Sequence, residues 1–216
     1  MHRIPPGRHA VEPPAPRPPS RAHRLLRELA PLLLVLLLLG VTRTSFANHY
    51  VVPSGSMMPT LQPGDRVVAD MRAYGLRVPF TDIVVAGEAA PRAGDVVLLK
   101  SPVDGTRLIK RVVALGGDRV TLRGGRLAIN GKWLAREDDP TLERFGARGV
   151  RLDLGAGGGP WINGLVVPAG QALVLGDHRG NSADGRVFGL VEASSLYARA
   201  VAVYYRREGG IGWQRL

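Results

Sequence analysis

Three stretches of the chain carry side chains in patterns that packing alone does not require. In Pro53-Ser-Gly-Ser-Met-Met-Pro-Thr60, two prolines fix φ and Gly55 permits a tight bend, so a rigid turn presents Ser54 and Ser56 on neighbouring surfaces. Taken alone, the same residues also suit an ordinary turn. In Arg107-Leu-Ile-Lys-Arg-Val-Val-Ala-Leu115, the β-branched content indicates a strand. Period two then places Leu108, Lys110, Val112 and Ala114 on one face and Ile109, Arg111, Val113 and Leu115 on the other, each face apolar but for one cation. If the Lys110 face is buried, desolvation can lower the amine's pKa by roughly 3–5 units and leave a neutral base near pH 7. An edge strand with Lys110 in solvent fits the same pattern. The third stretch, Gly176-Asp-His-Arg-Gly-Asn-Ser-Ala-Asp-Gly-Arg-Val-Phe-Gly189, is too polar for a strand and too rich in hydrogen-bonding groups for a linker. It reads as an ordered loop, with Asp184 and Arg186 as a bidentate pair and Ser182 free to bond elsewhere, or as a solvated turn. A serine on a rigid turn, a lone lysine in an apolar strand and a spare hydroxyl are together the parts of a nucleophilic site in which neutral lysine takes the serine proton.

Such parts need a scaffold, and the composition indicates which kind. The chain has 216 residues, 45% hydrophobic and 22% charged, which suits one folded domain with at most a small satellite. Its 28 Gly and 17 Pro favour short strands over long helices. Short β-branched runs at 65–68, 82–85, 95–99, 108–115, 119–122, 126–129, 165–167, 172–175 and 196–205 predict a mainly β, antiparallel domain. Arg123-Gly-Gly-Arg126 and Asn130-Gly131 read as hairpin turns. Residues 136–164 break the rhythm and predict an inserted loop or small subdomain within a body formed by 48–135 and 165–216. Gly157-Gly-Gly159 lacks the strand-to-helix context of a phosphate loop. With no cysteine, disulfides, a thiolate zinc site and a cysteine nucleophile are all excluded. Five His without an H-E-x-x-H pattern leave no metal or cofactor expected.

The N-terminal region has a different character. Residues 1–28 carry six Arg against two Glu, or +4 of the total +11, and the prolines of 1–23 predict a disordered basic arm. From Leu29 to Val41 every residue is apolar, Gly or Pro; that run spans only about 20 Å as a helix, and continuing to Ala47 reaches about 28 Å of the ~30 Å hydrocarbon core. Residues 29–47 are therefore expected to form a single transmembrane helix, with Arg43 snorkelling and Phe46 and Tyr50 at the interface. The arginines before it put the N-terminus in the cytoplasm and the rest of the chain outside the cell membrane. A cleavable signal peptide ending near Ser45-Phe-Ala47 is the competing reading. The basic charge thus points to a lipid bilayer as partner rather than nucleic acid.

In order and in residues, these stretches resemble the bacterial type I signal peptidases. The matching pieces are Arg43-Thr, Val52-Pro-Ser-Gly-Ser-Met-Met-Pro-Thr-Leu61, Gly94-Asp-Val-Val, Ile109-Lys-Arg-Val-Val-Ala-Leu-Gly-Gly-Asp118 and the stretch 176–189. The resemblance implies that Ser56 is the nucleophile and Lys110 the general base of a serine endopeptidase that removes signal peptides from exported preproteins, cutting after Ala-x-Ala-type sites. It further implies that Ser54 helps hold the oxyanion, that Ser182 orients the lysine, and that Asp184 with Arg186, and also Arg111, form the salt-bridged support. By resemblance and size, Val52, Met57 and Ile109 are expected around the substrate pockets, and the enzyme is expected to be a monomer. Gly117, His178, Gly180 and Gly185 depart from the family's usual residues in supporting positions. Rival readings are weaker in the sequence. Only His49 and His178 follow the predicted anchor and no Gly-x-Ser-x-Gly elbow occurs, which disfavours a Ser/His/Asp enzyme. A pilin-maturing or self-cleaving Ser/Lys relative shares the chemistry, and an anchored β module that only binds partners would need none of it.

Overall fold

The computed structural model describes Leu25 and residues 27–36, 47–77, 84–86 and 89–216. It contains two units, Met1–Leu39 and Gly40–Leu216. In the first, Leu25 and residues 27–36 are helical, and Leu29, Leu32, Leu33, Leu34, Val35 and Leu36 are exposed. Among the described residues no helix is long and apolar enough to cross a membrane. The arm 1–23 and residues 37–46, with Arg43, Phe46 and most of the alternative cleavage site, lie outside the described residues. At its far end the expected 29–47 helix is corrected: Ala47 opens a strand that also contains Tyr50.

The second unit is mainly antiparallel β, as expected. Its first strands are β1 (Ala47–Val51), β2 (Arg66–Asp70), β3 (Leu76–Arg77), β4 (Val84–Ala86), β5 (Val96–Lys100), β6 (Arg107–Leu115), β7 (Arg119–Arg123) and β8 (Arg126–Ile129). They are followed by β9 (Lys132–Trp133), β10 (Leu142–Phe145), β11 (Arg148–Arg151), β12 (Ile162–Val166), β13 (Gln171–Leu175), β14 (Val191–Glu192), β15 (Ala198–Arg206) and β16 (Gly210–Arg215). The main sheet runs β1-β2-β15-β5-β6-β13-β14, with β16 on β15, and a smaller sheet runs β12-β7-β8-β9. The hairpin turns fall where the glycines permit positive φ: Gly124 and Gly125 at +57° and +79°, Asn130 and Gly131 at +52° and +81°.

Strand β6 is not an edge strand. It lies between β5 and β13, so one side pairs Lys110 with Val97, while on the other β13 ends with Leu175 opposite Arg111. The strict alternation expected along it is also corrected. The register with β13 shifts between Val112 and Ala114, so Val112 joins one apolar cluster while Val113 and Ala114 join another. That second cluster packs β6 and β13 against Val120, Leu122 and Leu127 of the smaller sheet. Residues 136–164 supply the β10–β11 hairpin and most of β12, which pairs with β7. The glycine run there serves backbone packing. A Cβ on Gly158 would lie 2.2 Å from the Gly124 carbonyl carbon and the Gly125 nitrogen, so only glycine allows the two segments to touch.

A buried ion pair clamps this segment to the loop after β13. Arg179 and Glu143 are both 0% exposed, with Nη2 and Oε2 2.7 Å apart. Arg179 also donates to the Gly176 and Gly125 carbonyls, and Glu143 accepts the Leu127 N–H. Removing one partner strands a charge in the interior, at a cost of about 3–5 kcal/mol. Glu143→Ala should therefore lower the unfolding free energy of the second unit by that order, read as a lower urea midpoint; a midpoint within error of wild type would show that the pair holds nothing together.

Candidate active site

Ser56 sits in a single 3-10 turn, Gly55–Met57, whose last side chain anchors it. Met57 is buried in the apolar cluster with Val52, Leu61, Val96, Leu98 and Ile109, so the turn is pinned from below by burial of its neighbours. Behind it, the Ser56 carbonyl accepts the His178 N–H at 3.1 Å. The fit at that point is tight: a Cβ on Gly176 would come within 2.4 Å of the Ser56 carbonyl oxygen and 2.3 Å of Ser182 Oγ. Glycine at 176 is what lets the loop approach the turn so closely.

Lys110 reaches this turn from the strand interior. Its Nζ donates to Ser56 Oγ at 2.8 Å, and the residue is only 3% exposed. Ser54 Oγ donates to the same Ser56 oxygen at 3.3 Å. Burial pushes the Lys110 pKa down to about 8; the Asp184 charge works against that shift, Arg186 with it, and Asp177 again against it. An amine so placed is neutral in an appreciable fraction of molecules near neutral pH and can accept the hydroxyl proton.

The charges around it are matched among themselves. Asp184 accepts from Arg186 through Nε at 2.8 Å and Nη2 at 2.7 Å, and from the Gly176 N–H at 2.9 Å. Burial works against its carboxylate, but these bonds outweigh it and hold the pKa below the usual range. Arg111 pairs with Asp177 rather than Asp184, through Nε at 2.8 Å and Nη2 at 2.7 Å, and donates Nη1 to the Gly94 carbonyl at 2.7 Å. Asp177 further accepts from Thr60 Oγ1 at 2.6 Å, so one carboxylate ties the serine turn to the lysine strand.

The structure thus joins Ser54, Ser56 and Lys110 by hydrogen bonds and sets Asp184 and Arg186 within electrostatic reach of the lysine, while Arg111 serves Asp177 and Gly94 instead. The buried hydroxyl of Ser182 lies beside the Asp184 carboxylate and favours its ionisation, and the expected bond to Lys110 is not formed. Val52, Met57 and Ile109 line a cavity of about 210 Å³ beside Ser56 and Lys110. Sequence reasoning missed Asp177, Thr60, Arg179 and Glu143. The available signal was electrostatic: a lone Arg111 in a buried strand requires an anion, and Asp177 comes two residues after the end of a buried strand.

The lysine's depressed pKa also sets a stability relation. Because about 8 is below the ordinary 10.5, the folded chain binds this proton less tightly than the unfolded chain. The penalty is complete below pH 8 and fades as pH rises towards 10.5. Lys110→Met, of similar size and uncharged, should raise Tm at pH 7 by several degrees, on the order of 3 kcal/mol, and the gain should shrink near pH 10.5. A pH-independent gain would place its origin in packing instead.

Comparison with known proteins places the chain in a family. Residues 25–205 match the family model "Signal peptidase, peptidase S26". Signal peptidase I of Pseudomonas fluorescens is 33% identical over 199 residues, covering 79% of this chain and 69% of that one. Signal peptidase I of Pseudomonas aeruginosa is 31% identical over 195 residues, with the same 79% and 69% coverage. The chloroplastic thylakoidal processing peptidase 1 of Arabidopsis thaliana is 32% identical over 167 residues, covering 76% of this chain and 43% of that one. A family model spanning most of the chain, and two relatives above 30% identity aligned over more than two thirds of their length, make this chain a serine endopeptidase of the signal peptidase family, peptidase S26.

Proposed function

We propose that this endopeptidase removes signal peptides from exported preproteins with Ser56 as nucleophile and Lys110 as general base. The observation that carries the assignment is the 2.8 Å contact between a buried amine and the Ser56 hydroxyl. In the first step neutral Lys110 takes the Ser56 proton while Oγ bonds to the scissile carbonyl carbon. The oxyanion so formed accepts hydrogen bonds from the Ser56 N–H and, after a rotation of its hydroxyl, from Ser54; one such donor is worth about 3 kcal/mol. The Lys110 ammonium then protonates the departing amine, which becomes the N-terminus of the mature protein. Water repeats the sequence on the acyl-enzyme and frees the signal peptide. Asp184 with Arg186, and Arg111 with Asp177, keep the loop and strand in register, while Ser182 offers the lysine a second partner as the substrate seats. Side chains complete this chemistry without a cofactor.

The cavity of about 210 Å³ next to Ser56 is smaller than the ~300–1,000 Å³ of typical small-molecule sites. That size suits alanine-sized side chains at the first and third positions before the cut, held by Val52, Met57 and Ile109, with the peptide main chain extended beside a strand. The apolar segment that begins at Leu29 and ends before β1 would anchor the enzyme in the cell membrane, with the arm 1–28 in the cytoplasm and the β body outside. That body comprises 48–135 and 165–216, with 136–164 as an insertion, and acts as a monomer at the outer face. Lipid and signal peptide are then its partners.

Full-length enzyme in detergent should cut a preprotein ending in Ala-x-Ala. Ser56→Ala and Lys110→Ala should each abolish cleavage, and unimpaired cleavage by both would end the assignment. Lys110→Arg keeps the charge but supplies no neutral base near pH 7, so it should be as inactive as alanine; retained activity would reduce the lysine to an electrostatic role. Because the base must be deprotonated, kcat/KM should rise with pH and level off above about 8. A flat profile between pH 6 and 9 would contradict Lys110 as the base.

A further inference from the structure

The groove beside Ser56 holds one fixed charge. Among its lining side chains, Arg107 is the ionisable group besides Lys110, and it stands at the opposite end, three residues up β6 or ~10 Å along an extended strand. Its guanidinium lies 4.7 Å from the centre of the Tyr50 ring, so the side chain reaches from β6 to β1, the strand that leads into the serine turn. Burial pushes the Tyr197 hydroxyl up to about 12 while the Arg107 charge draws it down, which places the guanidinium near a second aromatic residue. The rings position this cation without neutralising it. Arg107 is exposed, and among the described residues no carboxylate lies within ion-pair distance of it.

We infer that Arg107 is a specificity determinant that favours preproteins with an acidic side chain four residues before the cut. The inference rests on the peptidase reading above. An extended peptide advances ~3.3 Å per residue, so with the scissile carbonyl at the Ser56–Lys110 contact, the ~10 Å along β6 from Lys110 to Arg107 matches the step from the first residue before the cut to the fourth. The first and third positions are restricted to small side chains by the cavity. The second and fourth side chains of an extended peptide leave the cavity on its open side, and of these the fourth lies level with the exposed, pre-positioned Arg107. A carboxylate there gains an ion pair in a half-open site, whereas a lysine meets a like charge.

Three preproteins identical except for Glu, Gln or Lys at the fourth position test this in kcat/KM. Wild-type enzyme should prefer Glu over Gln, and Gln over Lys, by about two- to fivefold at each step, the size expected of an exposed ion pair. Arg107→Gln should flatten the series and Arg107→Glu should invert it. Ratios taken within one enzyme cancel any loss of folded protein or overall rate. The wild-type series should also compress as salt is raised, a readout that needs no variant. A flat wild-type series at low salt, or one unchanged by Arg107→Glu, overturns the inference. Failure to cut any of the three overturns the peptidase reading instead.

Discussion

An amine can stay uncharged inside a protein only if nearby anions are already engaged by other cations. Lys110 feels the fields of Asp184 and Asp177, and a free carboxylate at either place would favour the ammonium. Neither is free. Asp184 is bound by Arg186 and the Gly176 N–H, Asp177 by Arg111 and Thr60. Burial can then dominate the lysine's ionisation. The ion pairs therefore act as insulation as much as reinforcement, and that explains why two such pairs crowd a site whose base must lose its charge.

The same pairs solve a problem of position. The serine turn, the lysine strand and the loop after β13 are far apart in sequence, and each is short. Met57 fixes the turn into the apolar cluster, Asp177 ties turn to strand, and Arg179 with Glu143 ties loop to the β10–β11 hairpin. Nucleophile and base are thus each held from more than one side. A hydroxyl and an amine 2.8 Å apart across 54 residues of chain need that redundancy, because a loss of 1 Å in alignment is enough to impair catalysis severely.

Much of this was legible in the chain. The β-branched runs located nine strands to within a few residues, and Gly-Gly and Asn-Gly marked the hairpins because few other residues accept positive φ. The serine turn and the lone strand lysine were legible as chemistry because each is odd in its setting. Burial of Lys110 was not, since a strand with one cation per face fits an edge as well as an interior, and only pairing on both sides, with β5 and β13, decides. Strand β1 was hidden by its position directly after an apolar run that draws a helical reading. The partner of Arg111 was also hidden. Asp177 and Asp184 lie seven residues apart in one loop, and one sequence does not say which of them faces the strand.

The strand order carries a consequence for biosynthesis. In the main sheet, the β1–β2 pair that flanks the serine turn and the β5–β6 pair that bears the lysine meet no backbone partner in common except β15. A ribosome delivers β15 long after both reactive side chains have emerged. Until it slots between β2 and β5, the hydroxyl and the amine belong to ribbons that share no strand pairing, joined only by side-chain contacts such as those of Met57 and Asp177. The backbone frame around the two reactive groups is therefore closed late in synthesis, by a strand made long after both have emerged.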